Sequence, residues 1–176
     1  DFYQTDHHWC NVGSYRGYRE IAAMLGCTDL LEPLETVRVS DRFSGSKALA
    51  IGAQEQFFEP IDAYRFAFPN MSLTIAGEPA DDYGRQDDAL SGRLESVSYG
   101  GIYGWDNGEV ILDTGTTGHG NLLMIGDSYD NAILKLIASH FDRVYSVDIR
   151  SYETDMGQPF RMAEYLRAHL LCSLTL

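Results

Sequence analysis

The last third of the chain alternates short apolar runs with helical patterns, and this alternation restricts the fold more than any other feature. The runs at 121–125 and 143–149 are predicted strands, followed by helical spacing at about 130–139 and about 159–169. A final apolar run at 170–176 predicts a third strand. The order β-α-β-α-β is typical of α/β proteins, and a near-continuous apolar strand is typical of a parallel sheet covered on both faces. The sequence therefore predicts an α/β fold with a mostly parallel sheet flanked by helices.

The first two thirds of the chain carry weaker patterns. Residues 13–25 have helical spacing, with Asn11 as a cap before them and a glycine after them. The segment at 42–52 is expected to be a loop or a short helix. Apolar segments on both sides of a Pro-Asn pair predict a hairpin over 63–77. An acidic, turn-rich surface loop is expected next, and an Asn-Gly turn predicts a strand at 109–112.

Length and charge limit the classes of protein to which the chain can belong. A chain of 176 residues suits one domain with a real core, so we expect a single domain over 1–176. The net charge of −13 argues against binding to nucleic acid or to anionic lipid. Three widely spaced cysteines give neither a metal-ligand spacing nor a disulfide framework. Because the chain starts at Asp1, without a methionine, we expect it to be a piece of a longer protein.

Ser128 stands where the predicted strand 121–125 passes into a helix, after Gly126 and Asp127. In one interpretation the glycine permits a turn and a polar side chain caps the helix. In the other, the serine hydroxyl is exposed beside backbone N–H groups that can hold an oxyanion. Ligands of open α/β sheets bind at the carboxyl ends of strands, which is where this serine lies.

A serine nucleophile needs a base, and the segment "TDHHW" at 5–9 offers one. Asp6 precedes His8 by two residues, so its carboxylate can reach the imidazole Nδ1–H and leave Nε2 free for a serine. The alternatives are a capping aspartate beside a packed Trp9, or a metal site built from Asp6, His7 and His8. Because no further cluster has ligand spacing, we expect no metal, and the chemistry requires no cofactor.

The segments "TDHHW" and "GDSY" together resemble the DHHW family of bacterial proteins. That family is related to the alginate O-acetylation proteins AlgJ and AlgX and has an SGNH-hydrolase-like fold. Three longer blocks carry the resemblance over most of the chain: "FYQTDHHWCNVGSYRGYREIAAMLG", "FFEPIDAYRF" and "NLLMIGDSYDNAILKLIASHFDRVYSVDIRSY". The Asp/His motif precedes the serine motif, as in the alginate proteins and in reverse of ordinary SGNH hydrolases.

The resemblance implies roles for individual residues. Ser128 is expected to be the nucleophile, His8 the base and Asp6 its orienting partner, while His7 falls on a variable position. The glycine and asparagine blocks that complete the ordinary oxyanion hole are not found, so three groups are candidate donors: the N–H of Ser128, Asn131 and Gly101. The candidate substrate-binding residues are Tyr99, Arg150, which matches a family arginine, and Trp9, which either stacks on a sugar or packs in the core.

The resemblance also implies a function. We expect Ser128 to accept an acyl group, typically acetyl, and to pass it to a hydroxyl of a cell-surface polysaccharide or to water. A membrane partner that supplies acetyl groups and an extracytoplasmic setting are implied in the same way. The alternative is a protein of the same fold that binds glycan, or acts as a scaffold, without turnover.

Overall fold

Two β-sheets and the helices around them build an α/β protein, seen here in a computed structural model that describes residues 1–94 and 96–169. The helices are α1 Asn11–Met24, α2 Ser46–Ala50, α3 Gln86–Leu90, α4 Tyr99–Tyr103, α5 Leu134–Ala138, α6 Ile149–Met156 and α7 Met162–His169. The strands are β1 Glu35–Phe43, β2 Glu59–Arg65, β3 Ser72–Ile75, β4 Glu78–Ala80, β5 Glu109–Asp113, β6 Asn121–Ile125 and β7 Arg143–Val147. None of the helices described is long and apolar enough to cross a membrane. The strand predicted at 170–176, with Cys172, lies outside the described residues.

The larger sheet has five strands in the order β4-β3-β5-β7-β6. Only β6 and β7 pair in parallel, and the other three pairings are antiparallel. The prediction of a mostly parallel sheet is therefore wrong, and the sheet is mixed. The apolar run of β7 shows that both faces of the strand are covered, but it does not show the direction of its neighbours. Val144 packs against α5 on one face, while Tyr145 and Val147 pack against α6 and α7 on the other.

The smaller sheet consists of β1 and β2, which pair antiparallel from Glu35 with Arg65 to Phe43 with Glu59. The predicted hairpin over 63–77 is wrong, because β2 pairs with β1 and β3 pairs with β4 and β5. The tight turn lies instead between β3 and β4, at Ala76 and Gly77, whose φ angles are 49° and 83°. Two central residues with positive φ define the turn that suits the twist of a two-residue hairpin.

The other elements follow the sequence patterns more closely. The helix predicted at 13–25 is confirmed as α1, although Cys10 occupies the cap position and Asn11 is the first helical residue. The strands predicted at 109–112 and 121–125 are confirmed. The helix predicted at 130–139 is divided into one 3₁₀ turn, Asp130–Ala132, and α5.

Helix α5 fixes the relative positions of the chain segments that precede α1 and α5. Its buried residues Leu136 and Ile137 pack on Tyr18 and Ala22 of α1, while Leu134 packs on the larger sheet. Since α5 lies between α1 and the sheet, the loop before α1 and the loop after β6 are held side by side. This contact brings "TDHHW" and "GDSY" together.

Helix α7 is anchored by one buried hydrogen bond, in which the Tyr165 hydroxyl donates to the Glu109 carboxylate at 2.5 Å. We predict that Tyr165→Phe lowers the free energy of unfolding by about 1–3 kcal/mol, because the buried carboxylate loses its donor. Tyr15→Phe is the matched control, since its hydroxyl donates to Glu32 at an exposed position, and we expect less than about 0.5 kcal/mol there. Equal losses in chemical denaturation of the two variants would contradict this account.

Candidate active site

Three side chains from opposite ends of the chain form one line of hydrogen bonds. The Ser128 hydroxyl donates to His8 Nε2 at 2.8 Å, and the His8 Nδ1–H donates to Asp6 Oδ1 at 2.6 Å. A carboxylate only accepts hydrogen bonds, so Nδ1 carries the proton and Nε2 is left as the acceptor. Asp6 and His8 are 3% and 7% exposed, while Ser128 remains partly accessible. This arrangement can remove the proton of a serine hydroxyl as the oxygen attacks an electrophile.

The Asp6 carboxylate is held in its ionised form by its surroundings. Burial alone would raise its pKa, but hydrogen bonds and the nearby imidazole outweigh burial and hold the pKa well below its usual value. The His8 ring N–H and backbone N–H donate to Oδ1, and the backbone N–H of Ser46 donates to Oδ2 at 2.8 Å. At neutral pH, Asp6 is therefore a charged acceptor that fixes the orientation of the imidazole.

The absence of a side chain at Gly45 leaves the space that the Asp6 carboxylate occupies. A Cβ atom on Gly45 would lie 2.3 Å from the Asp6 Cβ and 2.4 Å from Oδ2, closer than real Cβ contacts come. The backbone at Gly45 is extended, with φ at −94°, so the requirement for glycine is one of space and not of conformation. The sequence gives no sign of this requirement, because the contact joins residues 39 positions apart along the chain.

The loop that carries Asp6 and His8 has no regular secondary structure of its own and is held from outside. The Glu59 carboxylate accepts hydrogen bonds from the Thr5 N–H, the Thr5 hydroxyl and the Gln4 N–H. The Thr5 carbonyl accepts the N–H groups of Lys47 and Ala48 at the start of α2. Since these bonds use the backbone of the loop, they fix the direction in which its side chains leave it.

The turn that carries Ser128 is held by a hydrogen bond to the neighbouring strand β7. The Gly126 N–H donates to the Val147 carbonyl of the neighbouring strand at 3.2 Å. A Cβ atom on Gly126 would lie 1.6 Å from the Asp130 carboxylate, so a larger residue there would force the Asp130 side chain to move. The serine therefore lies just beyond the end of β6. Its turn packs against Asp130, the first residue of the 3₁₀ turn that follows.

Tyr129 ties the two loops together, and the sequence analysis missed it. Its hydroxyl donates to the His7 carbonyl at 2.6 Å, across 122 positions of the chain. Its ring contacts His8 and Trp9, with centroids 5.4 and 5.7 Å apart. The only signal in the sequence was an aromatic residue next to the predicted nucleophile.

Of the predicted substrate-binding aromatics, Tyr99 is buried and Trp9 is half-buried. The Tyr99 ring stacks on the His8 imidazole, with centroids 3.9 Å apart and planes 3° apart, and is 4% exposed. Burial raises the pKa of the Tyr99 phenol, so the ring under the imidazole stays uncharged. Trp9 packs against Gly17 of α1 and against Tyr129, and it does not line the cavity beside Ser128.

Two of the three predicted oxyanion donors already have partners. The Asn131 side chain accepts from the Tyr83 hydroxyl and donates to the Gly104 carbonyl, and the Gly101 N–H donates to the Ser98 hydroxyl. The Ser128 N–H has no acceptor among the residues described. Gly100, within the same "YGG" stretch as the predicted donor Gly101, lines the cavity beside Ser128 from the first turn of α4, where N–H groups have no acceptor within the helix.

A cavity of about 710 Å³ opens beside Ser128, and we call it the Ser128 cavity. It contains the three hydrogen-bonded side chains and lies between α2, α4 and the start of α6. Its further lining includes His7, Ser46, Leu49, Gln54, Trp105 and Arg150. The volume is in the range of small-molecule binding sites and is larger than an acetyl group requires.

Arg150 lines the Ser128 cavity, and two carboxylates fix its position. Its Nε donates to Asp148 Oδ1 at 2.9 Å, and its guanidinium also donates to Asp106 at 3.2 Å. The pKa of Arg150 is raised by these partners, while the pairing outweighs burial and lowers the pKa of Asp148. The cation is thus neutralised locally by its partners where it lines the cavity.

A metal ion is the other chemistry that this cluster offers. Asp6, His7 and His8 present one ligand atom each within 4.8 Å of one another, the single such group found in the described part of the chain. Both ring nitrogens of His8 are already bonded to Asp6 and Ser128. A metal on His8 would therefore have to break one of the bonds that align the serine.

Asp130, behind the serine turn, is a partly buried acid without a cationic partner among the described residues. Burial, together with the neighbouring carboxylates of Asp127 and Asp148, raises its pKa from 3.8 to about 6. Its ionisation costs stability at neutral pH and places negative charge next to Gly126.

Comparison with known proteins gives structural neighbours only. No protein-family model and no curated protein matches this chain. A DHHW family protein from Eubacterium siraeum is similar, with a TM-score of 0.67 and 17% identity, over 94% of this chain and 54% of its own. PatB1 of Bacillus cereus, solved with a sulfonyl adduct, gives a TM-score of 0.65 and 18% identity, over 95% and 56% of the two chains.

A further structure of PatB1 gives a TM-score of 0.62 and 18% identity, over 94% of this chain and 58% of that one. The chain thus spans a little over half the length of the solved structures that it matches. At these identities the similarity establishes a shared fold, including that of a DHHW family protein. The relation to the alginate O-acetylation proteins stays a prediction.

The close contact at Gly45 generates the first prediction for this site. Gly45→Ala should slow the modification of Ser128 by a small fluorophosphonate about 10²-fold, because the new methyl group displaces Asp6 and misaligns His8. Thermal unfolding of the variant separates this effect from loss of fold. Unchanged reactivity in a folded variant would show that the position of Asp6 is not important.

The partly buried carboxyl group of Asp130 leads to the second prediction for this site. Because its pKa is raised on folding, the native state binds the proton more tightly, and the free energy of unfolding falls as pH rises from about 4 to about 6. We predict that Asp130→Asn stabilises the protein by about 1 kcal/mol at pH 7.5, after allowance for solvent, and that the gain vanishes near pH 4. Asp127→Asn, at the exposed neighbouring carboxylate, should give a smaller gain; an equal or larger gain would contradict the assignment.

Proposed function

We propose that the protein is a serine-dependent acyl transferase or esterase, with Ser128 as nucleophile, His8 as general base and Asp6 as its orienting partner. The continuous hydrogen-bond line Ser128–His8–Asp6 at the wall of a 710 Å³ cavity carries the proposal. Binding alone would not require an aligned hydroxyl, imidazole and buried carboxylate.

In the first half of the reaction, Ser128 Oγ attacks the carbonyl carbon of an acyl donor while its proton passes to His8 Nε2. The bond between carbon and the leaving oxygen then breaks, and His8 returns the proton to that oxygen. Asp6 stabilises the imidazolium between these two transfers. The products are the free alcohol of the donor and an ester on Ser128.

In the second half, a hydroxyl group takes the place of the leaving alcohol. His8 removes its proton, its oxygen attacks the acyl-Ser128 ester, and the proton returns to Ser128 Oγ as the ester breaks. If the hydroxyl belongs to a sugar, the acyl group is transferred; if it belongs to water, the acyl group is released as an acid.

The tetrahedral intermediate of each half carries negative charge on the former carbonyl oxygen. The N–H of Ser128 is the first donor that we assign to it, and the N–H of Gly100 across the cavity is the second. Gly101 serves this role only if its present bond to Ser98 is released, whereas the Asn131 amide has a second N–H beside the one that it donates to Gly104.

The acceptor that we propose is a cell-surface polysaccharide, in an extracytoplasmic setting, with an acetyl group supplied by a membrane partner. The resemblance of "TDHHW" and "GDSY" to the DHHW family supports this proposal. A sulfonyl adduct, as described for PatB1, is the product expected of an activated nucleophile with a sulfonylating reagent. A glycan-binding or scaffold protein without turnover is the competing outcome.

Intact mass after treatment with a fluorophosphonate tests the proposal. We predict one adduct on the native chain, none on Ser128→Ala, and labelling slowed by about 10²- to 10⁴-fold in His8→Ala and Asp6→Asn. Peptide mapping should place the adduct on Ser128.

His119→Ala and Ser91→Ala are matched controls, since both residues are exposed and neither lines the Ser128 cavity. Both should be labelled at the native rate. Absence of any adduct on folded native protein would leave a binding protein as the remaining interpretation, and labelling that survives His8→Ala would remove His8 as the base.

A further inference from the structure

Trp105 occupies a position in the Ser128 cavity that the proposed chemistry does not use. It is 65% exposed, whereas buried Tyr99 and half-buried Trp9 lie within the packed structure. Ligand cavities are lined largely by apolar and aromatic side chains, and Trp105 is an exposed aromatic in the lining of the Ser128 cavity. Its ring is therefore available to a ligand that enters this cavity.

One side of the indole packs on the backbone of α4. A Cβ atom on Gly100 would lie 2.7 Å from Trp105 Cε3, so the ring rests close against the backbone at this glycine. The Trp105 carbonyl accepts a hydrogen bond from the Asn107 side chain at 2.8 Å, which fixes the chain beyond it. A ring that already packs on one side loses less conformational entropy when a ligand stacks on its other side than a ring without contacts would lose.

The polar groups beside Trp105 suit hydroxyl groups better than charges. Asp106, the next residue, shares the Arg150 guanidinium with Asp148, so the cation of the cavity is already matched by two carboxylates. Such a pair presents both donors and acceptors at fixed positions, which is what neighbouring sugar hydroxyls require. An anionic ligand would meet Asp106 and the net charge of −13 without an unpaired cation on this wall.

We infer that Trp105 is the stacking platform of an acceptor subsite that takes an uncharged pyranose ring, with Arg150 and Asp106 binding its hydroxyls. The C–H groups on one face of such a ring form a flat apolar surface, which can pack against the face of an indole. The inference rests on the proposed function, since it names the chemistry of the acceptor. It predicts an uncharged glycan as the acyl acceptor.

The test is a titration of the Ser128→Ala chain with uncharged cellotetraose and chitotetraose and with anionic tetragalacturonate, followed by ¹⁵N–¹H NMR. The chain has two tryptophans, so the spectrum holds two indole N–H signals, and Trp105→Phe assigns them. We expect an uncharged tetrasaccharide to move the Trp105 signal to saturation and to leave the Trp9 signal in place. The unmoved Trp9 signal reports that the fold is retained.

In the same background, with the dissociation constant read from backbone N–H signals that all variants share, Trp105→Ala should raise it about tenfold, and Trp105→Phe should raise it less because a ring remains. Phe57→Ala, which removes a 54% exposed aromatic outside the cavity, should leave it unchanged. Failure of both uncharged sugars to move the Trp105 signal, or tighter binding of the galacturonate, would overturn the inference. Because the titration uses a chain without the serine, its result is independent of fluorophosphonate labelling, which alone decides the proposed function.

Discussion

The hydrogen bond between the Ser128 hydroxyl and the His8 imidazole joins segments 120 residues apart, and the remaining features of the site depend on it. It is short enough for proton transfer only if both loops are docked to within a few tenths of an ångström. Packing of α5 between α1 and the larger sheet brings the loops side by side. The bond from Tyr129 to the His7 carbonyl then fixes one loop against the other.

Local requirements for space support the same alignment. Gly45 leaves room for the Asp6 carboxylate, and Gly126 leaves room for the Asp130 side chain beneath the serine turn. Tyr99 supports the face of the imidazole from below. The two irregular loops of the site are thus held by close contacts at two glycines and by one stacked ring, in addition to the packing of the helices around them.

The sequence offers the three aligned side chains as candidates, because Asp6 lies two residues from His8 and Ser128 follows an apolar strand, and the resemblance of "TDHHW" and "GDSY" to the DHHW family selects them. It does not predict Gly45, Tyr129 or Trp105, whose roles arise from contacts between distant segments. The prediction of a mostly parallel sheet fails for a similar reason. Val144, Tyr145 and Val147 are buried because helices cover both faces of β7, and such coverage fits parallel and antiparallel neighbours equally well. The pairing of β2 with β1, in place of the predicted hairpin with β3, likewise depends on contacts between separate segments of the chain.

The most direct test of this account is the ionisation and tautomeric state of His8, read by ¹⁵N NMR of the imidazole in the native chain and in Ser128→Ala. The account predicts a proton on Nδ1, protected by Asp6, and an unprotonated Nε2 whose resonance shifts when the Ser128 hydroxyl is removed. A proton on Nε2 of the neutral ring, or an Nε2 resonance that does not respond to the loss of Ser128, would contradict it.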